Sequence, residues 1–201
     1  KSQLTHAALA EWFRLQGDPQ HALFLLQQAP KPDAVHQDPF FLATHVEVLI
    51  DLGEFDRATE VMNSWPKPHS GYSFWRCRGI VNDEVLKDFQ AAITDYSKAL
   101  SAPPGKTDWP MMERKAHCLV LAHRNAEAAE LRKKAKVVEK LMEQDVHQRM
   151  RRILTELQRP EGLLEMCDFY RKLGRTREME SWQRYIRFLK QQPPVFRRSN
   201  L

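Results

Sequence analysis

The sequence predicts an all-α protein, an α-solenoid of about five antiparallel helix pairs. Apolar residues recur three or four positions apart along most of the 201-residue chain, which is the period of an amphipathic helix. The alternation typical of half-buried strands is hard to find. Glycine is scarce, with seven residues in all, and prolines cluster between the periodic segments.

Internal repetition is the third observation behind this fold class. LQGDPQHALFLLQQAP at residues 15–30 aligns with LGEFDRATEVMNSWP at residues 52–66, and similar segments follow at 86–104, 123–135 and 173–186. The recurring glycine is expected to end one helix, and the acidic residues after it to open the next. The approximate units are 4–34, 40–70, 73–105, 110–158 and 160–190, in one domain over residues 1–201 with a basic tail at 191–201.

Each helix of a pair carries a small residue at a matching position, with a bulky residue nearby. The small residues are Ala10, Val46, Gly79, Ala116 and Cys167 in the first helices and Ala22, Ala58, Ala92 and Ala128 in the second helices, with Met179 in the fifth slot. A small side chain lets paired helices approach closely. One pair cannot bury its apolar face alone, so consecutive pairs are expected to share a core.

This pattern resembles the tetratricopeptide (TPR) repeat, a family whose unit is two antiparallel helices in about 34 residues. The resemblance extends from about Leu4 to Leu189, although the tryptophan that occurs early in the family's repeat is missing from every unit. It implies a non-enzymatic protein-protein interaction scaffold. In that family the first helices line a concave groove, which would hold a peptide or a segment of a partner protein.

The resemblance also implies which side chains face the groove. The candidates, in chain order, are Glu11, Arg14, Glu47, Ile50, Phe74, Glu113, His117, Asp168 and Arg171. Family members that clamp a partner's C-terminal carboxylate use Lys and Asn at such places, whereas Glu11 and Glu47 stand here. Carboxylate clamping is therefore not expected, and the identity of the partner stays open.

Two units depart from the regular spacing. The third has one extra residue between Gly79 and Ala92, which predicts a slightly longer turn at residues 82–87. In the fourth, residues 126–158 carry a continuous apolar stripe without Gly or Pro, which favours one elongated helix roughly 50 Å long. The alternative is two helices, the second capped by Asp145 with Gln148.

Charge is divided unevenly along the chain. Residues 1–105 carry nine Lys and Arg against thirteen Asp and Glu, whereas residues 106–201 carry 22 against 13, so a net −4 and a net +9 make up the total of +5. A candidate basic face comprises Arg132, Lys133, Lys136, Lys140, Arg149 and Arg152. The alternative function is therefore a basic module that binds nucleic acid or an anionic surface through residues 126–158. This segment lacks the aromatic residues that stack on bases.

No sequence pattern points to catalysis. GKT at residues 105–107 lacks the first glycine and the strand of a phosphate loop, and two prolines prevent Ser64 and Lys67 from forming a helical nucleophile pair. The eight histidines form no HExxH motif, and the three cysteines are too widely spaced for a metal or redox pair. The chain is expected to be non-enzymatic, without a cofactor or metal.

Targeting and membrane segments are not evident in the sequence. No apolar run approaches the roughly 18 residues of a membrane-spanning helix, and the first residues lack the build of a secretion signal. A soluble protein is expected, in a compartment that the sequence does not predict. A regulatory repeat domain of a larger protein is the third functional alternative.

Overall fold

The computed structural model describes residues 2–30, 38–142, 145–157 and 159–191. In these ranges the chain forms eleven α-helices, a π-helical turn at Val81–Val85 and a 3-10 turn at Gly105–Thr107. The helices are α1 (Gln3–Leu15), α2 (Pro19–Gln27), α3 (Pro39–Asp51), α4 (Phe55–Asn63), α5 (Gly71–Ile80), α6 (Phe89–Ser101), α7 (Trp109–Leu121), α8 (Asn125–Leu141), α9 (Asp145–Thr155), α10 (Pro160–Lys172) and α11 (Thr176–Gln191). Every regular element of the described ranges is helical, which confirms the all-α class.

Helix boundaries follow local signals in the sequence. Asp18, Asp38 and Asp88 each precede a helix, and each side chain accepts a hydrogen bond of 2.8 to 3.0 Å from a backbone N–H in the first turn. Gly17 and Gly53 have φ angles of +82° and +75°, a left-handed conformation that glycine adopts at little cost. The expectation that the recurring glycine ends a helix is confirmed at these two positions.

The chain divides into two compact units, each with a core of its own. The N-terminal unit comprises Lys1–Gly105 and Pro110–Arg132, and the C-terminal unit comprises Lys106–Trp109 and Lys133–Leu201. Helix α8 contributes residues 125–132 to the first unit and its remaining residues to the second.

Consecutive helices of the N-terminal unit pack as pairs, α1 with α2, α3 with α4 and α5 with α6. The first helices of these pairs also lie side by side, α1 against α3 and α3 against α5. Helix α3 is central to this arrangement, because eight of its 13 residues are buried. The unit is therefore ordered as the repeat pattern predicts, with neighbouring pairs sharing a core.

The small residues of the repeat are buried in the cores of the two units. The most deeply buried are Ala10, Ala22, Val46, Ala58, Ala92, Ala116 and Ala128, each with at most 1% of its surface exposed. Gly79 makes the closest approach, since a methyl group there would lie 2.6 Å from Cδ1 of Tyr96 on α6. Close helix packing at these positions therefore depends on the absence of a larger side chain.

The core of the C-terminal unit is formed by α9, α10 and α11. Ile153 of α9 packs with Leu163 and Met166 of α10 and with Ile186 of α11. Met179, which occupies the slot of a second-helix alanine, packs against this cluster. A longer side chain is accommodated here because it fills space between the helices of the pair.

The extra residue of the third repeat, residues 73–105, is accommodated at the end of helix α5. This corrects the expected longer turn at residues 82–87. Helix α5 continues into the π-helical turn, where Leu86 N–H donates to the Val81 carbonyl over 3.0 Å. Asp83 of this turn is buried and accepts a hydrogen bond of 3.1 Å from the Tyr96 hydroxyl. A π-helical turn absorbs one residue without separating the helix pair, so residues 86–88 suffice to reach α6.

Residues 126–158 form two helices, which corrects the single elongated helix favoured by their periodicity. Helix α8 ends at Leu141, and the next amide, Met142 N–H, is shared between the carbonyls of Val138 and Glu139 at 3.0 Å each. Helix α9 begins at Asp145, and residues 143 and 144 lie outside the described ranges. The physical reason is tertiary, because α9 packs against α10 and places Ile153 in the core.

Candidate interaction surface

Five charged side chains join the first helices of the N-terminal unit. Glu11 and Arg14 lie on α1, Glu47 and Asp51 on α3, and Arg76 on α5; we call these five residues the charge network. Residues three or four apart share one face of a helix. Because α1, α3 and α5 lie side by side, these faces meet and the five side chains come within contact of one another.

Glu47 is the centre of the charge network. Its Oε2 atom lies 3.1 Å from Arg14 Nη2 and accepts a hydrogen bond of 3.1 Å from Arg76 Nη2, and its Oε1 atom contacts Arg76 Nη1. Only 9% of the Glu47 side chain is exposed. A carboxylate so buried requires opposite charges and hydrogen bonds to offset its lost hydration, and the two arginines supply both.

Arg14 connects Glu47 to the rest of the charge network. Its guanidinium donates to Glu11 over 2.9 Å on its own helix and to Asp51 over 3.2 Å on α3. The Arg14 side chain is 15% exposed, whereas Asp51 is 42% exposed. The network therefore passes from a buried ion pair at Glu47 to a carboxylate in contact with water at Asp51.

The pKa values of both arginines in the charge network are raised. For Arg14 the hydrogen bond to Glu11 is the largest influence, and the charge of Glu47 adds to it against the opposing effect of burial. For Arg76 burial is the largest influence and lowers the pKa, but the charge and hydrogen bond of Glu47 together outweigh it. Two permanent positive charges thus face three carboxylates, and the network carries a net negative charge at neutral pH.

The thiol of Cys77 lies close to the charge network but is not activated as a nucleophile. It is fully buried, with Sγ 3.9 Å from the Ala43 carbonyl oxygen. Burial raises the pKa of Cys77 well above its usual range, and the charge of Glu47 adds to the rise. Burial likewise raises the pKa of Cys118 to about 12. A thiol reacts as its thiolate, so neither residue is suited to nucleophilic chemistry.

The described ranges contain neither a candidate metal-binding cluster nor a helix that could span a membrane. No group of three or more His, Cys, Asp or Glu side chains there is arranged to hold a metal ion. None of the helices in these ranges combines the length and the apolarity needed to cross a bilayer.

Three of the nine sequence-derived groove candidates meet in the charge network, namely Glu11, Arg14 and Glu47. Ile50 and Phe74 are instead core residues, with 7% and 2% of their surfaces exposed. The Phe74 ring packs edge-on against Trp65, with 5.5 Å between ring centroids, and stacks on His69 at 4.6 Å. These two side chains therefore stabilise the fold and are not available to a partner.

The remaining groove candidates lie on later helices. On α7, His117 is exposed, and Glu113 Oε2 lies 3.7 Å from Arg132 Nε of α8. In the C-terminal unit Asp168 and Arg171 pair with each other on α10 over 3.3 Å. Glu113 thus has its neighbour on α8, and Asp168 and Arg171 pair within α10.

Two members of the charge network, Arg76 and Asp51, were absent from the sequence-derived candidates. Arg76 precedes Gly79 by three positions, the same offset by which the candidate Glu113 precedes the small residue Ala116 of α7. Applied consistently, that offset points to Arg76 in place of Phe74. Asp51 follows Glu47 by four positions and so shares its helix face. Both signals were present in the spacing of the repeat.

The candidate basic residues differ in their surroundings. Arg132 has Glu113 as a neighbour, and Arg149 is paired with Glu165 of α10. Four others are exposed on α8 and α9, namely Lys133, Lys136, Lys140 and Arg152. Arg152 borders a cleft of about 430 Å³ whose lining also includes Glu156, Glu161 and Glu165, so its immediate neighbourhood carries both signs of charge.

The helix pairs, the buried small residues and the adjacent first helices together define a TPR-like helical-repeat protein. Two solved structures share this fold. A mutant of MamA aligns over 93% of this chain and 96% of its own, with a TM-score of 0.51 and 17% sequence identity. MamA AMB-1 aligns over 93% of this chain and 98% of its own, with a TM-score of 0.50 and 17% identity.

MamA contains TPR repeats, and a likeness at this level of identity shows the fold alone. No protein-family model matches the chain, and no curated protein matches it. The TPR-like fold therefore rests on the structure.

Proposed function

We propose that this chain is a non-enzymatic protein-interaction scaffold that binds a segment of a partner along the first helices α1, α3, α5 and α7. The observation that carries the proposal is the bridge from Arg14 through Glu47 to Arg76, which ties three successive first helices together. A surface held in one arrangement before binding loses less conformational freedom when the partner docks. The bridge thus supports a preorganised platform.

The charges on this platform favour a partner segment that carries Lys or Arg. The charge network has one more carboxylate than arginine, and Asp51 is its most exposed member at 42%. Further along the proposed platform, Glu113 is 39% exposed. Electrostatic complementarity selects among partners more than it sets raw affinity. A basic peptide is therefore expected to bind in preference to an acidic peptide of the same length.

Selection from a displayed peptide library provides the test. Peptides that bind the chain should be enriched in Lys and Arg, and their affinity can be measured by isothermal titration calorimetry. Asp51→Asn combined with Glu113→Gln should weaken the selected peptides by about 5- to 10-fold, because each exposed charge contributes up to about 1 kcal/mol. Glu60→Gln is the control variant. It removes an exposed carboxylate from α4, the second helix of its pair, and should change the affinity less than about 2-fold.

Two outcomes would contradict this assignment. One is a set of selected peptides without basic enrichment. The other is an equal loss of affinity in the Glu60→Gln control and in the double variant. Circular dichroism of each variant separates a lost contact from a lost fold.

Binding of nucleic acid through residues 126–158 is the alternative function, and it has less support. Among its basic candidates, Arg132 has a carboxylate neighbour at Glu113 and Arg149 has one at Glu165. Binding to unrelated DNA can be titrated with salt. A loss of affinity of at least about 10³-fold between 50 and 200 mM salt would favour the alternative, because several phosphate contacts would be required for such a slope.

A further inference from the structure

A cleft of about 240 Å³ lies between the second and third helix pairs, where α4 meets α5 and the π-helical turn; we call it the α4–α5 cleft. Met62 of α4 and Val81 of the turn form an apolar floor, with 6% and 3% of their surfaces exposed. Leu86 stands at the rim with 59% of its surface exposed, although it is a large apolar residue. The cleft thus offers a buried apolar surface below an opening to water.

The segment that departs from the repeat spacing supplies one wall of the α4–α5 cleft. Val81 and Asn82 belong to the π-helical turn, and Leu86 follows it directly. Among the described elements this is the only π-helical turn. Such turns are rare and occur frequently at functional sites. The position of this turn beside a cleft therefore points to a role beyond the packing of α5 on α6.

Asp95 of α6 fixes two polar side chains of the α4–α5 cleft. Its buried carboxylate accepts hydrogen bonds of 2.7 and 2.6 Å from Nε and Nη2 of Arg78 and one of 2.9 Å from Nδ2 of Asn82. These bonds leave Nη1 of Arg78, on the guanidinium edge away from Asp95, as a donor and Oδ1 of Asn82 as an acceptor for a ligand. Two polar groups held in place above an apolar floor are typical of a binding pocket.

The charges of the α4–α5 cleft favour a neutral occupant. Arg78 is the only Lys, Arg, Asp or Glu among the lining residues, and it is paired with Asp95. Because this pair has no net charge, neither an anionic nor a cationic group would gain a charge partner that offsets its lost hydration. The other titratable residue of the lining is His69, whose Nε2 atom lies 3.1 Å from the Trp65 carbonyl oxygen.

The volume of the α4–α5 cleft suits a single aromatic side chain. An apolar cavity of about 150 Å³ is large enough for benzene, whereas sites for whole small-molecule ligands measure about 300 to 1,000 Å³. The side chains that anchor protein interfaces are mostly Trp, Tyr and Arg, and Arg is disfavoured here by its charge. A phenol or an indole also carries the polar group that the cleft can bond.

We propose that the α4–α5 cleft binds a Tyr or Trp side chain of a partner protein. The ring lies on Met62 and Val81 and against Leu86, and its O–H or N–H donates to Oδ1 of Asn82. A phenol oxygen also accepts a hydrogen bond from Nη1 of Arg78. The proposal is independent of the charge network, whose residues do not line the cleft.

NMR spectra of the full chain test the proposal with N-acetyl-tyrosinamide as the probe. Concentrations of about 1 to 10 mM should shift the methyl signal of Met62 and the side-chain amide signals of Asn82. N-acetyl-tryptophanamide should act alike, whereas N-acetyl-leucinamide and N-acetyl-argininamide should bind at least about 5-fold more weakly. A pentapeptide with one tyrosine between glycines should bind at least as well as N-acetyl-tyrosinamide, because the open rim leaves room for a chain.

Two variants, each with a matched control, locate the binding site. Thr59→Phe fills the cleft with a ring of the chain itself and should weaken N-acetyl-tyrosinamide by at least about 10-fold. Thr94→Phe on α6 is its control, since both threonine hydroxyls donate over 3.0 Å to the carbonyl four residues earlier. Leu86→Ala removes part of the apolar contact and should weaken the probe by about 3- to 5-fold. Leu164→Ala, at a position 58% exposed on α10, should leave binding unchanged. Circular dichroism checks the fold of each variant.

The outcomes that would overturn the proposal are specific. They are the absence of any shift at about 10 mM of both aromatic probes, equal binding of N-acetyl-leucinamide, and equal losses in a variant and its control. Binding of p-cresol without binding of the pentapeptide would assign the cleft to a free small molecule instead. The Asp51→Asn and Glu113→Gln double variant should bind N-acetyl-tyrosinamide as the parent does, so failure of the cleft and failure of the peptide platform give different results.

Discussion

The ring of Tyr96 lies directly against the backbone of Gly79, so that no side chain can be added at residue 79 without a clash. A methyl group there would lie 2.6 Å from Cδ1 and 2.7 Å from Cε1 of the ring. The ring cannot easily move, because Tyr96 is completely buried and its hydroxyl is bonded to Asp83. Close contact between α5 and α6 at this point therefore requires glycine.

Gly79→Ala is expected to destabilise the protein by about 1 to 3 kcal/mol through overpacking. Helix propensity alone predicts the opposite sign, a gain of roughly 0.5 to 1 kcal/mol. Urea denaturation measures the difference in unfolding free energy. Gly162→Ala on α10 is the control, because its methyl group would meet Ile153 at an ordinary contact distance of 3.5 Å. A stabilised Gly79→Ala variant would show that the α5–α6 contact is looser than described.

The alanines of the second helices should be equally intolerant of size. Ala58→Leu and Ala92→Leu are each expected to cost about 1 to 3 kcal/mol, since both positions have no exposed surface. Ala129→Leu, at an exposed position of α8, should lie within about 0.5 kcal/mol of the parent. Thermal melts of the three variants make the comparison. If the two buried variants matched the parent, these alanines would not set the spacing of the helix pairs.

Removal of the Glu47 charge tests the bridge between the first helices. Glu47→Gln leaves Arg14 and Arg76 without their shared carboxylate, and loss of one partner from a buried ion pair costs about 3 to 5 kcal/mol. The lower end is expected, because 28% of the Arg76 side chain is exposed. Asp51→Asn removes a more exposed carboxylate and should cost at most about 1 kcal/mol. Equal losses in urea denaturation would mean that Glu47 is not the centre of the network.

Burial of His45 should make the free energy of unfolding depend on pH. Its Nε2 atom is buried and has no hydrogen-bond partner, and burial, aided by the nearby charge of Arg57, lowers the pKa of His45 despite the opposing charge of Glu54. An unfolded histidine takes up its proton near pH 6.5, above the folded pKa, so the unfolded state binds more protons just below that pH. Stability should therefore fall as the pH drops through about 6.5 and should not change from this cause at higher pH.

Thermal melts between about pH 7.5 and 5.5 measure that dependence. His45→Gln cannot titrate and should show a smaller loss of melting temperature across the interval than the parent, whatever its stability at neutral pH. An unchanged slope in His45→Gln would assign the pH dependence to other groups.

Much of the architecture is predictable from the sequence because it depends on interactions within one helix or one pair. The period of apolar residues, the aspartate caps and the glycines after α1 and α3 act over a few residues. The offset of three residues also predicts that Glu11 and Arg14 share one face of α1, and the repeat gives Glu47 in α3 the position that Glu11 has in α1. Because the pattern repeats, the same local prediction applies to each successive helix pair.

Contacts between residues far apart in the sequence decided the other features of the fold and of the charge network. Which carboxylate each arginine meets depends on how α1, α3 and α5 lie against one another, so the pairing of Arg76 with Glu47 across 29 positions was not visible in one helix. Phe74 shares a helix with Arg76 yet enters the core, because Trp65 and His69 enclose it.

The third and fourth repeats, which depart from the regular spacing, also combine features that the sequence determines with features that the tertiary structure determines. The sequence by itself determined that the third unit holds one extra residue and that residues 126–158 carry a helical stripe. The tertiary structure decided that the residue enters a π-helical turn and that the stripe is divided between α8 and α9. The physical reason is that helical periodicity is local, whereas burial of Asp83 beside Tyr96 and packing of α9 on α10 require surfaces that only the folded chain brings together.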